Sequence, residues 1–287
     1  MTDPIVALER GEAVVDLSDW WKVTVGGTEA HSWLNDLLSV ELEGIAAGEA
    51  RRSLLLTPTG RIRAALTITP FEQGYLLVQD PTQPDRIDSL LDPYVLSSDV
   101  RLADRSQELG LLAFPGGDAP AGAGAGPGRY SPSALGPGED AVTERGGASV
   151  VEGLVRAGPE DVETWRVRRG AARFGVDLTS GSLPQEVELG DMIAYGKGCF
   201  LGQEAVARVR NLGHPPFVLL AARAEGAVAA GESVLGEEQE AGAVTSAAAD
   251  PSGGTAVIAR VRWALKDSRL RAASGAELRP RGLASAA

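Results

Sequence analysis

The 287-residue chain has little of the chemistry that metal sites and disulfides require. It contains one cysteine, Cys199, and two histidines, His31 and His214. A single cysteine excludes an intrachain disulfide and a CxxC metal site, and two histidines exclude a histidine-rich metal centre. Basic residues are also scarce, because 27 Lys and Arg stand against 39 Asp and Glu, for a net charge of -12. Phosphate binding needs a basic footprint, so the chain is a poor candidate for binding DNA or RNA.

Long apolar runs are missing as well. No stretch approaches the roughly 18 consecutive apolar residues of a transmembrane helix. The N-terminal segment has neither the basic start nor the apolar run of a signal peptide. We therefore expect a cytoplasmic protein with no membrane partner. Hydrophobic residues make up 44% of the chain, which is enough for substantial cores, and its length favours two or three modules.

Periodicity and turn signals predict interleaved helices and strands in the first part of the chain. Thr28 offers an N-cap for the first helix, and Pro58 and Gly60 stand where a type I turn between two strands prefers them. Because no long parallel repeats occur, this order favours an α+β fold over a doubly wound α/β fold. In chain order, the predicted elements are a helix at 28–38, strands at 53–56, 62–68 and 75–78, a helix after Pro84, and strands at 100–103 and 110–114.

The composition changes at residues 115–140, which are rich in Gly, Ala and Pro and poor in large apolar residues. Such a composition is typical of a flexible loop. Helices are predicted from Pro159 and over Gly202–Arg210, and short strands between turn signals follow, which indicates a small barrel or sandwich. The predicted organisation is an α+β module at 1–114, a flexible loop at 115–140, a second α+β module at 141–212 and a β-barrel at 213–287.

Cys199 lies in the segment KGCFLGQE, between two glycines and close to a predicted helix start. A helix N-terminus and a nearby lysine such as Lys197 lower a thiol pKa from roughly 8.5 towards 7 or below. Two interpretations stay open: a reactive or ligating thiolate, and a small buried residue that fits a tight turn. One thiolate cannot hold an Fe–S cluster within one chain, so it would donate one ligand to a shared cluster or take part in thiol exchange.

Four segments carry a family signature. The most specific is KGCFLGQE at 197–204, followed by Ala207-Arg208, and a second block combines FGVD at 174–177 with LPQE at 183–186. LLLTPTGRI at 54–62 and GHPP at 213–216 complete the set. Together they resemble the YgfZ-type folate-binding proteins, relatives of the glycine-cleavage T protein. The resemblance implies a T-protein-like fold of two α+β modules followed by a C-terminal β-barrel, with Glu186 and Cys199 towards one central face.

The resemblance also implies roles for individual residues. Glu186 would hold the pterin of tetrahydrofolate, because a carboxylate accepts an amine and a ring N–H in a paired hydrogen bond. Arg166 and Arg169, in a cluster of four arginines at 166–173, would meet the anionic glutamate tail of folate. Trp165 would contribute to the same pocket. The competing interpretations are a surface glutamate, a solvated helix face and a core tryptophan.

Two alanines depart from the T-protein pattern. T proteins carry an aspartate just after the Gly-rich hairpin, and Ala64 and Ala65 stand there in this chain. Without that carboxylate, a proton relay to a folate nitrogen loses its group. This absence argues against aminomethyl transfer of the T-protein type and leaves open whether the chain is an enzyme.

The resemblance therefore implies a tetrahydrofolate-binding accessory protein that supports assembly or repair of Fe–S proteins. Its partners would be folate and Fe–S proteins or their assembly factors, and we expect a monomer. One alternative is a folate-dependent aminomethyl or methyl transferase. Another is a folate-sensing scaffold in which the thiol has no function.

Overall fold

Three β-sheets and a set of short helices make up residues 2–120, 123, 128–146, 153–187 and 192–283, which the computed structural model describes. None of the helices in these ranges is long and apolar enough to cross a membrane. Short 3-10 helices lie at Asp92–Tyr94, Pro184–Glu186 and Trp263–Leu265. The α-helices are α1 (Pro4–Arg10), α2 (Ala30–Leu37), α3 (Ile87–Leu91), α4 (Pro159–Arg169) and α5 (Gln203–Leu212).

The first sheet collects strands that are far apart in sequence. Its order is β10-β1-β7-β9-β8, with β1 parallel to β10 and antiparallel to β7. β7 is buried along its whole length, and its residues alternate between two cores: Leu111 faces one and Leu112 the other. The bounds are β1 (Ala13–Asp16), β7 (Leu109–Pro115), β8 (Gly128–Tyr130), β9 (Gly138–Glu144) and β10 (Val155–Ala157).

The second sheet is antiparallel and has the order β3-β4-β5-β2-β6. α2 covers one face of it, since Ala30, Trp33 and Leu34 share a buried core with strand residues such as Val23 and Ile68. The predicted helix at 28–38 and hairpin at 53–68 correspond to α2 and to β3 and β4. The bounds are β2 (Trp21–Gly26), β3 (Arg51–Leu56), β4 (Ile62–Phe71), β5 (Gly74–Gln79) and β6 (Arg101–Asp104).

The two sheets are interleaved along the chain. The chain builds β1 of the first sheet, then all of the second sheet, and then returns for β7 to β10. The range 115–140, for which composition predicts a flexible loop, contains β8 and the start of β9, and Tyr130 and Asp140 in these strands are buried. Strand pairing orders β8 and the start of β9 despite their composition. The prediction of a flexible loop is therefore corrected for these two strands. Residues 121–122 and 124–127 of the same range lie outside the described residues.

The third sheet is antiparallel, with the order β15-β12-β13-β14-β11-β16. Its edge strands β15 and β16 stand at the two ends of this order, and an isolated bridge joins Arg271 of β15 to Glu277, the residue before β16. The sheet curls into a half-barrel that is open between these edges, where the sequence predicts a β-barrel. The bounds are β11 (Phe217–Ala224), β12 (Ser233–Gly236), β13 (Gln239–Ala249), β14 (Thr255–Arg262), β15 (Leu270–Ala272) and β16 (Leu278–Arg281).

The start of α2 also differs from the expectation. Glu29 stands at its N-cap without a side-chain hydrogen bond. The Thr28 hydroxyl donates instead to Asp99, at 2.8 Å, just before β6. Thr28 bonds Asp99 and does not cap α2, because the ionised Asp99 carboxylate is a stronger hydrogen-bond acceptor.

A buried ionic network fastens α4 to the third sheet. Arg166 Nη1 donates to Asp177 Oδ2 at 2.7 Å, and Arg166 Nη2 donates to Glu163 at 2.6 Å and to the Ser246 hydroxyl at 2.7 Å. The hydroxyls of Ser246 and Thr245, both on β13, donate to Asp177 Oδ1. The Asp177 side chain is fully buried, so its charge depends on these partners.

The substitution Asp177→Asn tests how much this network contributes to the free energy of unfolding. It removes one charge and leaves the buried Arg166 guanidinium without its fully buried carboxylate partner. We expect the free energy of unfolding to fall by about 3 kcal/mol, measured by urea denaturation. Asp267→Asn, on an exposed aspartate, is the matched control and should change stability by less than about 0.5 kcal/mol. Equal stabilities for the two variants would contradict the assigned role.

Candidate functional site

A cavity of about 410 Å³ lies between the first and second sheets and against α4. We call it the inter-sheet cavity. Its volume falls in the range of roughly 300 to 1,000 Å³ that is common for small-molecule sites. Apolar side chains such as Val78, Leu135, Val162 and Trp165 form much of the wall. Charged and polar groups are set among them: Asp16, Asp19, Asp80, Arg52, Arg166, Arg173, Thr67 and Gln83.

The β3–β4 hairpin brings Ala65 to the cavity wall. Alternation along the strand sends Ala64 to the opposite side, where it is buried in the core under α2. The Gln83 side chain brackets the Ala65 backbone: its Oε1 accepts the Ala65 N–H at 3.0 Å and its Nε2 donates to the Ala65 carbonyl at 2.7 Å. Of the two alanines at the T-protein aspartate position, Ala65 is therefore the one that matters for the cavity.

A carboxylate that sequence reasoning missed, Asp80, lines the cavity together with Ala65. The pairing of β4 with β5 ends at Thr67 and Val78, and Ala65 and Asp80 each lie two residues beyond that last pair. Asp80 Oδ1 accepts the Thr82 N–H at 2.8 Å and the Thr82 hydroxyl at 2.7 Å. The available signal was the sequence Asp80-Pro81-Thr82 after a strand, which is typical of an aspartate-capped turn.

Two N–H groups of the wall lack a hydrogen-bond partner. Among the described residues, nothing accepts from Trp165 Nε1 or Arg173 Nε, although both atoms are buried. Arg173 Nε lies 3.6 Å from Asp80 Oδ2, which is beyond hydrogen-bond distance. Buried donors without an acceptor are costly, and a ligand in the cavity would supply acceptors.

The turn between β1 and β2, which carries Asp19 and Trp20 to the cavity, is fixed from behind. The buried Lys22 ammonium donates to the carbonyls of Ser18, at 2.8 Å, and Trp20, at 2.6 Å. Burial lowers the pKa of Lys22 to about 8. Arg145 donates to Asp19 at 2.7 Å and also reaches the Ser18 carbonyl. The cavity rim is thus held in place by two basic side chains.

Glu186 lies outside the described lining of the cavity. Its carboxylate is fully buried, and Oε2 accepts from Arg260 Nε on β14 at 2.7 Å. Oε1 accepts the Leu183 N–H at 3.1 Å. The structure thus gives Glu186 the task of joining its 3-10 helix to the third sheet, which corrects the placement expected for a pterin ligand.

The other expected folate residues are brought together only in part. Trp165 and Arg166 line the cavity, but the Arg166 guanidinium is engaged with Asp177, Glu163 and Ser246. Arg169 is absent from the described lining, and its guanidinium lies over the Trp165 ring at 4.6 Å. Trp165 thus lines the cavity, whereas the two arginines make packing and ion-pair contacts, and the folate roles of all three stay predictions.

Lys197 does not support the Cys199 thiolate. Its buried ammonium donates to the carbonyls of Asn35, Leu38 and Val40 at 2.6 to 2.7 Å, at the C-terminal end of α2. Cations stabilise that end of a helix. Cys199 is exposed and does not line the cavity. The expected stabilisation of the Cys199 thiolate by Lys197 is corrected accordingly.

Gly202 of the KGCFLGQE segment serves close packing. It adopts φ +84°, and a Cβ there would lie 2.5 Å from the carbonyl oxygen of Thr57 in the β3–β4 turn. Gly60 of that turn also packs closely, since a Cβ there would lie 2.9 Å from the Cβ of Ala205 in α5. The segment therefore positions the hairpin that carries Ala65. In the described part of the chain, no group of three His, Cys, Asp or Glu could hold a metal ion.

The buried Lys197 gives stability a pH dependence. Burial lowers its pKa from the ordinary 10.5 to about 8. Between these values the unfolded chain binds the proton and the folded chain has released it, so the free energy of unfolding rises with pH. Between pH 7.5 and 10, Lys197 should raise the free energy of unfolding of the wild type by an amount on the order of 2 kcal/mol, and Lys197→Met should lack this rise in urea denaturation. Lys22 contributes equally to the wild type and to Lys197→Met.

Lys266→Met is the control, and its free energy of unfolding should change with pH as that of the wild type does. If the free energy of unfolding of Lys197→Met also follows the wild type, the lowered pKa of Lys197 is contradicted.

The chain is similar in sequence to several known proteins. Residues 4–121 match the GCVT N-terminal domain. The chain is 26% identical over 292 residues to the aminomethyltransferase of Streptomyces avermitilis, covering 87% of this chain and 78% of the relative. It is 25% identical over 236 residues to a putative chloroplastic transferase of Arabidopsis thaliana, covering 71% of this chain and 54% of the relative. The chain thus spans about half the length of the Arabidopsis protein.

A solved structure extends the match to the whole fold. Glycine cleavage system aminomethyltransferase T from Bartonella henselae superposes with a TM-score of 0.80, at 18% identity, over 97% of this chain and 88% of that chain. The chain therefore matches the GCVT N-terminal domain over residues 4–121 and has a T-protein-like fold with a C-terminal half-barrel.

Proposed function

We propose that the inter-sheet cavity binds tetrahydrofolate or one of its one-carbon derivatives, and that the chain is a folate-dependent one-carbon transferase of the T-protein type. The observation that carries the proposal is a largely apolar cavity of about 410 Å³ with buried, unpartnered donors in its wall. The names of the relatives, aminomethyltransferases from several bacteria, support the transferase over the Fe–S accessory role.

The residues present fit a reduced folate. Its bicyclic ring is flat and carries a carbonyl oxygen and ring nitrogens that accept hydrogen bonds. The apolar side chains of Val78, Leu135 and Val162 offer surfaces for such a ring. Trp165 Nε1 and Arg173 Nε, which have no acceptor among the described residues, offer it donors. A polar ring in an otherwise apolar cavity needs such directional partners.

When bound, tetrahydrofolate supplies the nitrogen atoms that carry the one-carbon group. The protein's own contribution is to orient the ring and exclude water with the apolar wall. Asp16 is exposed beside the cavity, and its Oδ1 accepts the Ser18 N–H at 2.9 Å. A carboxylate in this position attracts a cationic amine substrate and exchanges protons with solvent. Ala65 supplies no such group, so Asp16 takes this task.

The Fe–S accessory role depends on the YgfZ resemblance of the KGCFLGQE segment. Cys199 is exposed, as a thiol that meets a partner protein must be. However, Lys197 is engaged with backbone carbonyls, and Cys199 does not line the cavity. This role stays a prediction, and Cys199→Ser separates it from folate binding, because the substitution should leave folate affinity unchanged.

Blocking the cavity tests folate binding. Ala65→Trp places a large side chain in the wall and should weaken binding of 5-formyltetrahydrofolate by about tenfold or more, as measured by calorimetry. Ala103→Trp is the matched control, since Ala103 is exposed on β6 of the same sheet. Thermal denaturation checks that both variants fold. Wild-type protein that does not bind the ligand, or equal affinities for the two variants, would contradict the proposed site.

Turnover tests the transferase assignment separately. With an aminomethyl donor carried on a lipoyl group, the wild type should form methylenetetrahydrofolate, and Asp16→Asn should lower the rate by about tenfold or more. The affinity for 5-formyltetrahydrofolate should stay unchanged in Asp16→Asn. Tight folate binding without turnover of aminomethyl or methyl donors would instead favour the accessory role.

A further inference from the structure

We infer that three arginines where α4 meets the third sheet form an anion site that binds the phosphate group of a small molecule. They are Arg168 in the last turn of α4, Arg223 of β11 and Arg281 of β16, and we call them the arginine site. None of the three is in the described lining of the inter-sheet cavity. The inference is therefore independent of the proposed folate binding.

Strand pairing and helix packing bring the three arginines to one place. β11 and β16 set Ala221 opposite Arg281, and Arg223 lies two residues from Ala221, so both arginine side chains leave the same face of the sheet. The end of α4 packs against this face, because a Cβ on Gly170, its C-cap, would lie 2.7 Å from the Ala221 Cβ. Arg168 in the last turn of α4 is thereby brought to the two strands.

Each guanidinium of the arginine site is oriented by backbone carbonyls, which accept its hydrogen bonds without neutralising its charge. The accepting carbonyls, at 2.7 to 3.0 Å, are those of Ala249 for Arg168, Ser252 and Gly253 for Arg223, and Val167 for Arg281. Nη1 of Arg223, Nη1 of Arg281 and both Nη atoms of Arg168 have no hydrogen-bond partner among the described residues. All three side chains are half-buried, so these donors are held in place and still reach solvent.

Positive charge exceeds negative charge at the arginine site. Among the described residues, Asp250 is the one carboxylate that forms an ion pair with any of the three, with its Oδ1 at 3.7 Å from Arg223 Nε. Hydrogen bonds from Ser252 and the charges of Arg223 and Arg281 hold the pKa of Asp250 below its ordinary value, so Asp250 is ionised. Three guanidiniums and one carboxylate leave two positive charges uncompensated, in a chain whose net charge is -12.

The neighbouring strand residue does not remove this excess. Arg279 of β16 lies directly opposite Arg223, and like charges in that position destabilise a sheet. Its Nη1 lies 2.7 Å from Glu225, so this pair is neutral as a whole and adds no anion for the other arginines. An anion from solution would supply the missing compensation.

A phosphate group fits the arginine site in charge and in shape. It carries a charge of about -1.5 to -2 near neutral pH and has three strong acceptor oxygens. Guanidinium groups donate to such oxygens in pairs, as planar forks. A nucleic acid needs a longer basic footprint than three arginines. The ligand is therefore a free phosphate ion or a small phosphate ester.

Calorimetry in chloride buffer, with inorganic phosphate and with glycerol phosphate, tests the site. The wild type should bind at least one of them with a Kd of about 1 mM or tighter, and the tighter ligand identifies the source of the phosphate group. Arg168→Gln and Arg281→Gln should each weaken binding by about tenfold. Arg269→Gln is the matched control, because it removes the same charge from an arginine that is 83% exposed beside β15, and it should leave the affinity unchanged.

The control separates a built site from a general effect of net charge. Wild-type protein that binds neither ligand, or an equal loss in Arg168→Gln and Arg269→Gln, would overturn the arginine site, and thermal denaturation checks that each variant folds. Competition between phosphate and 5-formyltetrahydrofolate would assign the arginines to the carboxylates of folate and overturn a separate site. Phosphate binding without folate binding would overturn the proposed function alone.

Discussion

The structure depends on one buried ion pair, between Arg166 of α4 and Asp177. On one side, Asp177 accepts from Thr245 and Ser246 and so fastens the third sheet. On the other, Arg166 holds Glu163, which holds Arg173, which faces Asp80 in the inter-sheet cavity. A continuous line of charges therefore runs from the half-barrel to the cavity wall. Because α4 also supplies Trp165 and Val162 to that wall, fixing the helix fixes the cavity.

The segment with the strongest family signature acts on the same cavity from a distance. Lys197 holds the end of α2 through three carbonyls, and Gly202 lets α5 approach the β3–β4 turn. Glu186 joins its own loop to β14 through Arg260. Lys197 and Glu186 each satisfy buried polar partners that an apolar side chain would leave unpaired. A family signature of this kind records how modules dock, as well as any chemistry done at Cys199.

Local signals in the sequence were sufficient for local structure. Pro58 and Gly60 marked the hairpin, and Pro159 marked the start of α4. The sheet order could not be predicted, because β1 pairs with β7 and β10, which lie far along the chain. The roles of Glu186 and Lys197 were missed for the same reason, since their partners are 74 and 157 or more residues away. The sequence around Asp80 indicates only a turn. Asp80 becomes part of a candidate site because the cavity that it lines forms where two sheets and α4 meet.

The missing aspartate and the carboxylate that is present call for different chemistry. Ala65 and Asp80 both line the cavity, each two residues beyond the last pair of β4 and β5. The Asp80 carboxylate is held by Thr82 and faces Arg173, so it is a fixed anionic group and is less suited to carrying protons than an exposed carboxylate. Under the proposed function, proton exchange therefore belongs to Asp16 at the rim, where T proteins are expected to place a carboxylate on the hairpin itself.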